Sequence, residues 1–272
     1  STDITTNELI IDTTAPATPT VVSQVTNDTT PTVTGTATLA AGETLAVTIN
    51  GTTYTTANGL TVDPVAGTWS VTLPTTAEGT YAVTATVTDA AGNTATDITT
   101  NELVIDTTAP AIPTVDPLTT NDTTPTVTGT ATLAAGDTLA VTINGTTYTT
   151  ANGLMVDPVA GTWSVTLPTT AEGTYAVTAV VTDAAGNTST DITTNELIID
   201  TTAPAIPTVV SQVTNDTTPT VTGTATLAAG DTLAVTINGV TYTTANGLSI
   251  TGSNWSVTLP TTAEGTYAVT AV

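Results

Sequence analysis

The sequence predicts an all-β fold: tandem immunoglobulin-like, seven-stranded β-sandwiches in a linear array. Three observations predict it. First, the chain repeats itself, and self-similarity at a fixed period signals an array of like units. The string DTTAP begins at Asp12, Asp106 and Asp200, and TNDTTPTVTGTATLAAG begins at Thr26, Thr120 and Thr214. The tryptophans fall at Trp69, Trp163 and Trp255, spacings of 94 and 92 residues, the second shortened where VDPVAGTW becomes ITGSNW. Second, Val, Ile, Leu and Trp alternate with Thr, of which residues 12–105 hold 30 in 94. Thr is β-branched, prefers strands and offers its hydroxyl to water on an exposed sheet face. Third, the alternating runs are short and punctuated by Gly, Pro, Asn and Asp.

The expected units are residues 1–11, the final strand of a preceding repeat; full repeats at 12–105 and 106–199; and a repeat at 200–272 that lacks its last strand. The two full repeats differ at ten positions, four of them between Val22 and Val25. Near-identity of this kind points to recent duplication. Array length then matters more than the chemistry of any one unit.

Within residues 12–105, strand A is expected near 19–25 and strand B across 32–38. Strand C covers 44–49, and Asn50-Gly51 is a hairpin signal into a further strand at 53–56. Strand E is 68–73, F is 80–88 and G is 99–105. Seven short strands in such a length fit an immunoglobulin-like sandwich. The period of two names the inward faces: Leu45, Val47 and Ile49 on C; Trp69, Val71 and Leu73 on E; Tyr81, Val83, Ala85 and Val87 on F; Leu103 and Ile105 on G. Trp69 shares its register with Val71 and Leu73 and is read as core, not as a sugar platform. Tyr81 follows the Glu78-Gly79 turn and is read as a corner tyrosine.

Composition excludes much. The 272 residues carry 23 acidic side chains and no Lys, Arg, His or Cys. Ser-His-Asp and Cys-His nucleophiles, Schiff bases and zinc sites with nitrogen or sulfur ligands are therefore absent. No cation is present to grip nucleic acid or anionic lipid. No nucleic-acid partner and no direct membrane insertion are expected, and no run of 18 or more apolar residues or signal peptide is seen. Two-carboxylate catalysis is disfavoured because the acids recur in every repeat and are spread over loops, so the chain is read as not an enzyme.

The acids are expected at the ends of each sandwich. Asn27 and Asp28 (A–B loop), Glu78 (E–F loop) and Asp106 belong to the C-terminal pole. Glu43, Asp63, Asp89, Asn93 and Asp97 belong to the N-terminal pole, and Glu102 is the main charge inside a strand. Stacking through DTTAP would gather Asp28, Glu78 and Asp106 against Asp137, Asp157, Asp183, Asn187 and Asp191. Like charges about 6 Å apart repel by roughly 3 kcal/mol at an effective dielectric near 20. With no cation in the sequence, Ca²⁺ suits these oxygen ligands better than Mg²⁺. The candidate ligands are Asp12, Asp28, Glu78, Asp89, Asn93, Asp106, Asp122, Glu172, Asp183, Asn187, Asp200 and Asp216. The competing reading is that these acids are solvated loop residues that provide solubility; no EF-hand spacing is present.

The DTTAP linker, TNDTTPTVTGTA and EGTYAVTATVTDAAGN (Glu78–Asn93) together resemble bacterial immunoglobulin-like repeats of giant biofilm-associated-protein-type adhesins, exported by type I secretion. The resemblance covers essentially the whole chain. It implies an extracellular place, at the bacterial cell surface or in the biofilm matrix. It also implies a stalk for cell adhesion and biofilm formation, with calcium stiffening the joints between neighbouring repeats. By that resemblance the calcium ligands include the linker residues Asp12, Asp106 and Asp200 and the F–G residues Asp89 and Asp183. The third repeat departs by losing the counterpart of Asp63.

Two further readings remain open. One is a binding module for glycan or protein. Regular Thr-x-Thr rows could also suggest ice binding, for which a twisted sheet is a poor platform. The other is homotypic head-to-tail assembly, in which an N-terminal strand completes the open third repeat of another chain; against it stands a segment cut from a longer array.

Overall fold

The computed structural model describes residues 9–272, so most of the strand expected at 1–11 lies outside the described residues. Residues 9–11 form no strand and are exposed. Two compact units divide the chain, residues 1–200 and 201–272. Among the described residues there are three separate hydrophobic cores, two in the first unit and one in the second.

The first repeat holds β1 (Thr20–Val21), β2 (Gln24–Thr26), β3 (Thr32–Thr36), β4 (Thr44–Ile49), β5 (Thr52–Tyr54) and β6 (Leu60–Asp63). It continues with β7 (Thr68–Thr72), β8 (Gly79–Tyr81), β9 (Val83–Thr88), β10 (Thr94–Thr96) and β11 (Leu103–Ile105). One sheet has the order β1-β3-β7-β6; the other layer is made of β10-β9-β4-β5 and β2-β11-β8. The same order recurs in the second repeat.

Alternation built this core as expected. Leu45, Val47, Ile49, Trp69, Val71, Leu73, Val83, Ala85, Val87, Leu103 and Ile105 are all buried. Tyr81 is partly buried, and its hydroxyl donates to the carbonyl of Ala77 at 2.8 Å, the corner role. Trp69 donates its indole N–H to the carbonyl of Thr20 at 3.2 Å and lies over Gly35 in the facing strand. A methyl at Gly35 would overlap the Thr20 carbonyl oxygen and stand 2.5 Å from the indole ring. On the wet faces, Thr hydroxyls pair across strands: Thr20 with Thr36 at 2.7 Å, Thr32 with Thr72 and Thr48 with Thr53 at 2.9 Å. Such pairs each add a few tenths of a kcal/mol and fix register.

Three features differ from the expected seven continuous strands. Strand A divides between sheets: β1 pairs antiparallel with β3, whereas β2 pairs parallel with β11. A strand also forms at β6, in addition to the one after the Asn50-Gly51 turn. Strand F is broken into β8 and β9, and of strand G, expected at 99–105, only β11 forms, preceded by an unexpected strand at β10. Between β10 and β11 the chain leaves the sheet, Ile98 is 92% exposed and Asn101 adopts a positive φ of 60°. Two carboxylates stand in for the missing backbone pairing. Asp97 accepts from the N–H of Ala85 at 2.5 Å, and the buried Glu102 accepts from the N–H of Val83 at 3.0 Å.

The third repeat has a four-stranded sheet (Thr208–Val209, Thr220–Thr224, Asn254–Thr258, Leu248–Thr251) and a three-stranded one (Val240–Tyr242, Val235–Ile237, Val269–Ala271). Among the described residues of this unit, the counterpart of the β2-β11-β8 sheet is missing.

Candidate functional site

The junction of the first two repeats is built from loop acids and the DTTAP linker. Asp183 organises the F–G loop of the second repeat. Its Oδ1 accepts from the N–H of Ala185 at 2.9 Å and of Asn187 at 2.8 Å, and its Oδ2 accepts from Asn187 Nδ2 at 2.8 Å. Asn187 Nδ2 reaches further, donating to the carbonyl of Asp106 at 2.8 Å. The Asp106 N–H in turn donates to Thr26 of the first repeat at 2.9 Å. One linker residue is thus held by both repeats.

Three more contacts close the junction. The Asn27 N–H donates to the carbonyl of Ala185 at 3.1 Å, which brings the A–B loop of one repeat against the F–G loop of the next. Ala185 is buried there, although its counterpart Ala91 is exposed. Ser189 donates to the carbonyl of Pro110 at 2.6 Å. Glu78 accepts at Oε2 from the N–H and hydroxyl of Thr107, at 3.1 and 2.7 Å, and from the hydroxyl of Thr108 at 3.0 Å. The Thr107 hydroxyl is the main reason that the Glu78 carboxyl sits below the ordinary carboxylate range.

The same latch recurs at the start of the chain. Asn93 Nδ2 donates to the carbonyl of Asp12 at 3.0 Å and to Asp89 Oδ2 at 2.8 Å, and that side-chain bond holds Asp89 below its usual value. Burial pushes Asp183 up, but the bonds from Asn187, Ala185 and Gly186 outweigh it and the net direction is down. Asp12 accepts from Thr14, and Asp106 from Thr108, each through Oδ1. Asp28, Asp122 and Asp216 each accept from the N–H and hydroxyl two residues on, and Asp122 is lowered chiefly by the Thr124 N–H. Glu172 precedes Gly173 at the equivalent of Glu78, and the Asp200 N–H donates to Thr120 at 2.9 Å.

The predicted gathering forms only in part. Asp106, Asp183 and Asn187 meet, with Glu78 on the adjoining linker residues. Asp157 is turned into its own loop, accepting from Val159 and Ala160. Asp191, just past the strand Thr188–Thr190, accepts from the N–H of Ala179, and its counterpart Asp97 accepts from Ala85, so both are spent on sheet amides of their own repeat. Asp137 accepts from Ala134 within its own turn. Sequence reasoning placed Asn27 at the pole but not its backbone contact, and it missed Thr107, Thr108 and Ser189, whose contacts run through a backbone N–H or hydroxyls that leave no charge pattern to read.

Among the described residues, no three acidic side chains gather where one ion could be held. The oxygen set at the latch is mixed instead. The Asn187 amide nitrogen lies between a carboxylate oxygen of Asp183 and the carbonyl oxygen of Asp106, each at 2.8 Å. Two oxygens converging on one donor also suit a hard cation, and a half-turn of the amide would present its own oxygen as a third ligand.

Residues 5–107 and 114–201 match the bacterial Ig-like domain family, more than half of the chain. The chain belongs to the bacterial Ig-like domains. These Ig-like repeats are also similar to a solved structure of a 1.5-MDa bacterial ice-binding adhesin, described for its host cell surface retention. Identity is 30%, over 90% of this chain and 87% of that one, with a TM-score of 0.35. A fragment of titin, domains I67–I69, is 13% identical over 94% of both chains, with a TM-score of 0.44. No match is found among curated proteins.

Proposed function

We propose that these Ig-like repeats form part of the extracellular stalk of a bacterial surface adhesin and serve cell adhesion and biofilm formation. The observation that carries the reading is the double hold on Asp106, by Thr26 of one repeat and Asn187 of the next. A joint of this kind passes load and orientation along a chain of near-identical units. The 30% identity to a giant adhesin supports the same reading.

Calcium is part of the proposal. Asp183 and Asn187 would hold it with the carbonyl and carboxylate of Asp106, and Asp89, Asn93 and Asp12 would do so one repeat earlier. The ion would supply the positive charge that the sequence lacks. Small-angle scattering and thermal melting of the 272-residue chain, with calcium and with chelator, test this. A rise in melting temperature and a narrower spread of particle dimensions are expected with calcium, reversed by chelator. Profiles and melts indifferent to both would remove calcium from the reading and leave the stalk.

A further inference from the structure

The chain carries six Asn-Gly dipeptides, two in each repeat. An asparagine followed by glycine can react with its own backbone, because the glycine nitrogen has no side chain beside it to shield it. That nitrogen, losing its proton to solvent base, attacks Cγ of the asparagine. A nitrogen–carbon bond forms, the Cγ–Nδ2 bond breaks, and the amide leaves as ammonia after taking a proton from water. Water then opens the five-membered imide at either carbonyl, giving aspartate or isoaspartate. The reaction needs a side-chain amide free to turn onto the next nitrogen, and an open approach to that nitrogen.

The two dipeptides of each repeat differ in both respects. Asn58 is pinned: its Oδ1 accepts from the N–H of Thr55 at 2.5 Å and from its hydroxyl at 3.0 Å, and its Nδ2 donates to the carbonyl of Thr53 at 2.9 Å. Asn152 repeats these bonds with Thr149 and Thr147, and Asn246 with Thr243 and Thr241. A tyrosine ring also stands against each following glycine, 3.6–3.8 Å from where a Cβ would sit.

Asn50, Asn144 and Asn238 lie instead at the tips of two-residue hairpins, closed by the pairs Ile49↔Thr52, Ile143↔Thr146 and Ile237↔Val240. They are exposed, and among the described residues their side chains have no hydrogen-bond partner. Nothing stands within 4 Å of the Cβ position of Gly51, Gly145 or Gly239. The same dipeptide is thus free at one place in the repeat and held at the other.

We propose that Asn50, Asn144 and Asn238 are sites of spontaneous deamidation, and that the fold protects Asn58, Asn152 and Asn246 from it. Each event replaces a neutral amide by a carboxylate beside an edge strand, Thr52–Tyr54 in the first repeat. The isoaspartate product also adds a methylene to the main chain within the turn, which loosens that edge strand and leaves the inner strands paired.

Ageing the folded 272-residue chain at mildly alkaline pH, then cleaving after Leu and Tyr, tests this. Cleavage separates the two classes: AVTINGTTY (46–54 and 140–148) and AVTINGVTY (234–242) hold the hairpin asparagines, and TTANGL (55–60, 149–154 and 243–248) holds the pinned ones. Mass spectrometry is expected to show the hairpin peptides converting at least about tenfold faster, because reaction at a pinned site first breaks three hydrogen bonds. In denaturant the gap should close. Equal conversion in the folded chain overturns the proposal, as does faster conversion of TTANGL. A gap that persists unchanged in denaturant overturns it too, since local sequence and not the fold would then set the rates.

Discussion

At the scale of single residues, the chain uses Gly35 and Glu78 in ways that mutation can read. Gly35 is flat against Trp69, so Gly35→Ala pushes a methyl into the indole and the Thr20 carbonyl. A cost of about 3 kcal/mol or more is expected, because overpacking a closed core forces backbone movement. Thermal melting of the first repeat would register it; Gly51→Ala, where nothing stands within 4 Å, should show only the smaller penalty of its positive φ. Glu78 makes a prediction about pH. Its carboxyl is lowered in the folded chain, so its contribution is complete above the ordinary carboxylate value near 4 and is lost as pH falls through the lower folded value. Titrating the chain also relieves repulsion among 23 acids, so the measurement is the difference between the unaltered protein and Glu78→Gln at constant ionic strength. The gap in melting temperature should be steady near neutrality and close at strongly acid pH.

At the scale of elements, the F–G loop acts as a latch and strand G as a beam with a deliberate gap. Asn187→Ala removes the side-chain bonds to Asp183 and Asp106, leaves the backbone N–H bond to Asp183, and does not touch the core. Backbone hydrogen exchange should quicken across Thr107–Pro110 and the 183–187 loop, while the melting temperature of each sandwich moves by no more than about 1 kcal/mol equivalent. Equal loss of protection throughout the second repeat would instead make Asn187 a fold residue. Much of this scale was legible beforehand. Leu45, Val47, Ile49, Trp69, Val71 and Leu73 announce their face through a period of two, and Asn50-Gly51 announces its turn. The division of strand A was not legible: the inward side shifts from Val21 to Gln24 and Thr26 where the backbone changes partner, but Gln24 and Thr26 are polar and leave no apolar alternation to read. The strand at Leu60–Asp63 is too short for a clear alternation. Asp97 and Asp191 look like loop acids because the pattern around them is polar, yet they bond sheet amides at the point where strand G departs. Asn93 and Asn187 were legible as oxygen-bearing loop residues; that each also holds a linker carbonyl was not, since a carbonyl has no letter in the sequence.

At the scale of the whole molecule, charge and repetition act together. Loop acids held by hydroxyls and backbone N–H groups recur in every repeat, and among the described residues the buried charged side chains are Glu102 and Glu196. Near-identical units make any junction device recur, so a weak joint effect would multiply with repeat number. The proposed calcium dependence belongs to this scale, and chelator bears on it at every junction at once.

The parallel pairing of β2 with β11 has a mechanical consequence. The chain enters the first repeat beside β2 and leaves it through β11, so tension applied across the repeat drags these two strands in opposite directions along their common axis. The ladder from Gln24↔Leu103 to Thr26↔Ile105, with the flanking bonds Gln24 to Glu102 and Asp106 to Thr26, is then loaded in shear. Bonds in shear share the force and yield together, unlike the bonds of a hairpin opened from one end.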